Sequence, residues 1–104
     1  MTKILLSFVL SFLSLSTWAY DILVDGIYYN LNLDTSEAIV TFKSWEGGSY
    51  SGNVVIPETI NYNYKTYPVV AIDALAFCNC SNLTSVTIAS NVHTIGDGAF
   101  YGCI

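Results

Sequence analysis

The sequence has no arginine and only three basic residues, Lys3, Lys43 and Lys65, against eight Asp and Glu residues, for a formal net charge of −5. A protein that grips nucleic acid does so by displacing phosphate counterions with cationic side chains. This chain has too few of them, so nucleic-acid partners are excluded. An anionic membrane surface, which recruits lysine and arginine clusters, is disfavoured on the same ground. Histidine is as scarce: His93 is the sole imidazole. A structural zinc site takes about four ligands, and no close Cys-x-x-Cys pair accompanies His93. The acids follow no calcium-loop spacing and read as a solvated surface. Nucleophilic catalysis needs a base beside Ser, Thr or Cys, and a single histidine with scattered carboxylates offers no such pairing. No enzyme activity and no cofactor are expected, and His93 reads as an exposed turn residue.

Long apolar runs are also lacking, except at the start. Met1-Thr2-Lys3 supplies a positive charge, Ile4 to Leu15 is apolar apart from serines, and Thr17 and Ala19 place small residues before a cleavage point. That is the layout of a secretory signal peptide over residues 1–19. The run is shorter than the ~20 residues a membrane-spanning helix needs. No Cys follows it to accept a lipid, and no later segment could span a bilayer. The expectation is a secreted or cell-surface protein with no membrane insertion after cleavage.

Residues 20–52 read as an N-terminal β-hairpin cap. Ile27, Tyr29, Leu31 and Leu33 alternate with Tyr28, Asn30 and Asn32, the period of a half-buried strand. Asp34-Thr35-Ser36-Glu37 is a turn cluster before a second β-rich run, Ala38 to Phe42, and Asp25-Gly26 suits a tighter hairpin with Ile22-Leu23-Val24. The glycines of Glu46 to Gly52 favour a flexible connection.

Residues 53–104 repeat. Val69-x-x-Ile72-x-x-x-Ala76-Phe77-x-x-Cys80 recurs as Val92-x-x-Ile95-x-x-x-Ala99-Phe100-x-x-Cys103, an offset of 23 residues without a gap. Between them, Leu83-Thr84-Ser85-Val86-Thr87-Ile88 fits L-x-x-L-x-L, and that core at this period is the leucine-rich-repeat signature. The fold expected is therefore a mainly β repeat solenoid preceded by hairpins. A weaker strand copy, Val54-Val55-Ile56-Pro57, overlays Val86-Thr87-Ile88-Ala89, and the extra spacing places an inserted loop at Asn61 to Pro68. Leu83, Val86, Ile88, Ile72 and Phe77 should fill successive layers of one core, leaving Thr84, Ser85 and Thr87 outside. The chain stops after an incomplete array, with Ile95 and Phe100 expected to be exposed. An N-terminal piece of a longer array is the simplest account, and self-association through the open repeat end is its rival.

Asn91 to Cys103, with Leu83 to Ile88 before it, closely resembles the repeat unit of the BspA-like family of bacterial surface leucine-rich-repeat proteins. Val24 to Tyr29 and Gly52 to Pro57 are similar to that family's N-terminal section. Ala74-Leu75 and Ala89 depart from its pattern. The resemblance implies surface display and adhesion.

Cys80 and Cys103 hold equivalent places and should stack about one strand spacing, ~4.8 Å, apart. A disulfide is the alternative to a reduced, buried ladder, but stacked side chains point the same way and free Cys packs well as a small hydrophobe. Asn82, within an N-x-T acceptor pattern, reads as a turn residue. Tyrosines give contact area at modest entropic cost, so Tyr62 and Tyr64 join Thr84, Ser85 and Thr87 as candidate partner-binding residues, whereas Tyr29 should cover the first layer. The leading reading is a binding or adhesion module for an extracellular protein or glycan. The alternatives are targeting repeats of a longer secreted hydrolase and a structural envelope protein.

Overall fold

The computed structural model describes residues 20–104, and the expected signal peptide lies outside the described residues. Strands occur where β-branched and aromatic residues alternate, and turns occur where the backbone must go left-handed. β1 (Ile22–Val24) and β2 (Ile27–Asn32) form an antiparallel hairpin. Its turn residues Asp25 and Gly26 both have positive φ, 49° and 84°, which matches the twist of the flanking strands. β3 (Glu37–Val40) returns beside β2. The Asn32 carboxamide oxygen shapes that turn by accepting from the Asp34 and Thr35 amides at 3.0 and 3.2 Å. Ile27 and Tyr29 are buried, as their alternation requires. Leu33 does not continue that face: β2 ends at Asn32, the turn swings outward, and Leu33 is 69% exposed.

The rest of the chain forms β4 (Gly52–Ile56), β5 (Thr59–Tyr62), β6 (Lys65–Ile72), β7 (Leu83–Ile88) and β8 (Thr94–Ile95). The expected inserted loop is instead a β-hairpin. Thr59–Tyr62 pairs antiparallel with Lys65–Pro68, and the turn residues Asn63 and Tyr64 have φ of 52° and 63°. The hairpin forms because Ile60 and Tyr67 sit opposite each other and bury one face. Its turn has no glycine to announce it. β6 then runs on into the solenoid, where Ala71 and Ile72 pair in parallel with Ile39 and Val40 on β3 and with Thr94 and Ile95 on β8. β3 therefore belongs both to the N-terminal hairpins and to the stacked layers. On the other wall β4 pairs in parallel with β7, with Val54, Val55 and Ile56 opposite Val86, Thr87 and Ile88, the overlay expected from sequence.

The turns stack as closely as the strands. The amides of Leu75, Phe77 and Asn79 donate to the carbonyls of Asp97, Ala99 and Tyr101 at 3.2, 2.7 and 2.7 Å, and Gly48 donates to the Cys78 carbonyl at 2.8 Å. Two places in each turn are left-handed: Leu75 (φ 62°) matches Gly98 (65°), and Asn79 (55°) matches Gly102 (81°). The departure from the family pattern at Leu75 thus falls where a side chain fits least comfortably.

An aromatic column runs through the layers. Ring centroids of Tyr20 and Tyr28 are 4.7 Å apart, Tyr28 and Tyr50 5.8 Å, Tyr50 and Phe77 4.7 Å, and Phe77 and Phe100 5.1 Å with planes only 7° apart. Tyr50 sits in the glycine-rich connection, yet it is buried and is the first-layer counterpart of Phe77. Its hydroxyl donates to the Thr41 carbonyl at 2.6 Å and accepts from the Tyr28 amide at 3.0 Å. Tyr50→Phe would leave both backbone groups unmatched, and urea unfolding should show a loss of about 1–3 kcal/mol.

Burial also sets the alkaline limit. It pushes the Tyr29 phenol from 10.0 up to about 12, helped by the Asp25 charge, and raises Tyr50 in the same way. The folded state holds these protons more tightly, so stability is intact below the unfolded pKa and falls as pH rises through the folded one. Thermal midpoints should therefore hold to about pH 10 and drop by about pH 12. A flat profile across that window would contradict the buried phenols.

Candidate functional site

The exposed surface of the β4–β7 sheet follows from register and one bulge. Val54 and Ile56 point into the core, at 8% and 1% exposure, so Val55 between them points out and is 64% exposed. On β7, strict alternation would expose only one of Thr84 and Ser85. The pairing shifts between Gly52↔Leu83 and Asn53↔Ser85, and the extra residue lets both side chains reach the same acceptor. The Thr84 and Ser85 hydroxyls donate to the Asn53 carboxamide oxygen at 2.6 and 2.9 Å. Asn53, Val55, Thr84, Ser85 and Thr87 thus make a small uncharged face with a polar end and an apolar end. Leu83 and Val86 turn inward beneath it. Ile88 is more open than expected, at 38%, because among the described residues only β4 flanks its strand.

Tyr62 and Tyr64 lie elsewhere, on the β5–β6 hairpin. Tyr64 stands fully exposed in the turn. Tyr62 lines a cleft of about 390 Å³ with Asp21, Ile22, Leu31, Leu33 and Tyr67, between this hairpin and the N-terminal strands. The candidate residues therefore fall in two groups, the β7 hydroxyls on the sheet face and the tyrosines on the hairpin. Sequence reasoning missed Asn53 and Val55. The overlay of Val54–Ile56 on Val86–Ile88 held the signal, since it places Val55 beside Thr87.

The three cysteines are free thiols. Cys80 is buried, and burial raises its thiol pKa. The Cys103 thiol donates to the Phe77 carbonyl at 2.9 Å, so the equivalent cysteines pack as reduced side chains. His93 is exposed, its Nδ1 3.1 Å from the Thr94 hydroxyl. Among the described residues no three His, Cys, Asp or Glu side chains converge as a metal site requires.

Comparison with known proteins agrees with this geometry. Residues 39–104 match the family model described as the BspA type leucine rich repeat region. A leucine-rich repeat protein from Bacteroides ovatus has a similar solved structure: 32% identity, TM-score 0.67, covering 81% of this chain and 21% of that one. A leucine rich cell surface protein from Faecalibacterium prausnitzii is 32% identical, with TM-score 0.62 over 85% of this chain and 22% of that one. The leucine-rich repeat protein of Treponema pallidum is 31% identical, with TM-score 0.59 over 80% and 35% of the two chains. The chain thus spans between 21% and 35% of the length of these structures. A search of curated proteins found no match. The repeat, its stacked turns and these relatives lead to one assignment: the chain belongs to the family of BspA-type leucine-rich-repeat proteins.

Proposed function

We propose that the protein is a secreted or cell-surface adhesion module, acting by binding rather than catalysis, and that its β4–β7 face engages an extracellular protein or glycan. The observation that carries this reading is the composition of that face. Asn53, Thr84, Ser85 and Thr87 offer amide and hydroxyl groups around the exposed Val55, without a charge. Such a face can be desolvated at low cost, and polar groups around an apolar centre are the usual anatomy of a recognition patch. The Asn53 carbonyl is occupied by two hydroxyls, which leaves its amide group as a donor for a ligand. The similarity to a cell surface protein supports the location.

The test has two parts. Protease treatment of intact cells should remove the protein, and the labelled full chain should bind at least one component of an array of extracellular proteins and glycans. Protection from protease together with a blank array would overturn the proposal.

A further inference from the structure

Among the described residues β4 has one strand neighbour. β7 lies along one edge, and among the described residues no strand, loop or side chain hydrogen-bonds the backbone of Asn53 to Ile56 on the other. Alternate N–H and C=O groups there have no partner among the described residues. Such an edge is a template for another chain, and proteins usually guard it with lysine, proline or inward charge. Asn53-Val54-Val55-Ile56 carries none of these, and Pro57 closes only its C-terminal end, where it lines the smaller of two hollows beside this edge.

The edge is not open to bulk solvent on all sides. Two adjoining hollows of about 480 and 310 Å³ run beside it, sharing Asp25, Ile27 and Val55. The inward-pointing Val54 and the outward-pointing Val55 both line the larger one, and no β7 residue lines either. The hollows therefore follow the free edge of β4 rather than one face of the sheet. The opposite wall is the tip of the β1–β2 hairpin, with Asp25 and Gly26.

We propose that this groove binds an extended peptide segment of a partner protein, bearing a basic side chain, which adds as a strand to β4. A row of alternating backbone donors and acceptors is satisfied by another backbone, the chemistry of strand addition. β4 is five residues long, so at ~3.3 Å per residue it spans the length of a short linear motif. The smaller hollow is lined by Val24, Thr59 and Asn61 as well as the largely buried Ile27, Tyr29 and Ile60, a mixed wall that accommodates alternate side chains of such a strand. Asp25 supplies the charge preference. Its carboxylate makes no hydrogen bond or ion pair among the described residues. The left-handed backbone there would be met equally by Asn, so the turn itself does not require the charge. A second copy of this chain is the poorer occupant, because edge-to-edge pairing would bring like-charged Asp25 hairpins and two molecules of net charge −5 together. The groove shares Asn53 and Val55 with the β4–β7 face, but it would bind through the free backbone edge of β4 and Asp25 rather than through the β7 hydroxyls, so either proposal can fail alone.

The test is a nuclear magnetic resonance titration of the isotope-labelled full chain. The probe is a short capped peptide of alternating valine and threonine with lysine at its centre. Its controls carry glutamate for lysine, or N-methyl groups on alternate backbone nitrogens. Saturable shifts at the amides of Asn53 to Ile56 and at Asp25 are expected with the lysine peptide, and none with the N-methylated one. Asp25→Asn should weaken binding by about two- to fivefold, the size of one partly exposed ion pair, and should erase the preference for lysine over glutamate. No shifts along β4, or equal binding of the N-methylated peptide, would overturn strand addition. Shifts at β4 that depend on protein concentration without peptide would make a second copy the occupant and overturn the proposal equally.

Discussion

Phe77→Ala is expected to destabilise the fold by about 3–5 kcal/mol, the range for removing a buried aromatic side chain. Phe77 has no exposed surface and lies between Tyr50 and Phe100, at 4.7 and 5.1 Å. Truncation removes a ring from the middle of the column, so Tyr50 and Phe100 each lose their neighbour. The backbone on either side is already fixed, since the Phe77 amide donates to Ala99 and its carbonyl accepts from the Cys103 thiol. The cavity therefore has little freedom to collapse. A domain is typically stable by only about 5–15 kcal/mol, so the loss should appear as a large fall in the urea midpoint. Phe100→Ala should cost clearly less, because Phe100 is 37% exposed and touches one ring of the column. Equal effects from both substitutions would contradict the column as the axis of the core.

Gly96→Ala should be the next most damaging change, although it adds a single methyl group. A Cβ at Gly96 would lie 2.8 Å from the Cα of Ala74 and 2.9 Å from the carbonyl carbon of Asp73. Those are backbone atoms of the preceding turn, which no rotamer change can move. The Gly96 amide also donates to the Ile72 carbonyl at 2.8 Å, so relieving the clash means opening the bond that joins the layers. Overpacking of this kind costs typically 1–3 kcal/mol, and calorimetry should show a lower midpoint. Gly26→Ala is the control. Its Cβ would meet nothing within 4 Å, so only the strain of its left-handed backbone is felt. A smaller loss at Gly96 than at Gly26 would contradict the close approach of the turns.

The layered core was legible because its residues recur. The offset that pairs Ile72 with Ile95 and Phe77 with Phe100 is visible in the sequence, and β6 and β8 pair through that Ile72–Ile95 register. The overlay of Val54 on Val86 likewise matches the β4–β7 register. What could not be read was structure without a repeat to announce it. Tyr50 has no apolar neighbours in sequence and enters the core through a glycine-rich connection, so it looked like a loop residue. The β5–β6 hairpin turns on Asn63-Tyr64, which no glycine marks. The L-x-x-L-x-L pattern already placed Thr84 and Ser85 outside, but the bulge opposite Gly52 that brings both hydroxyls onto Asn53 is set across the sheet. The groove beside β4 depends on which edge stays unpaired, a property of topology that no local pattern records.

The central claim is that the interior of the solenoid holds the fold while the β4–β7 face binds. The most direct measurement compares the full chain with its Thr87→Arg variant, recording the thermal midpoint and the binding to any extracellular protein or glycan that the native chain retains. Thr87 is exposed and opposite Val55. The account predicts an unchanged midpoint and binding weakened at least about tenfold, since a charge would then be desolvated without a partner beside the Val55 centre of the patch. Undiminished binding with the midpoint intact would contradict it and move the binding surface elsewhere on the molecule.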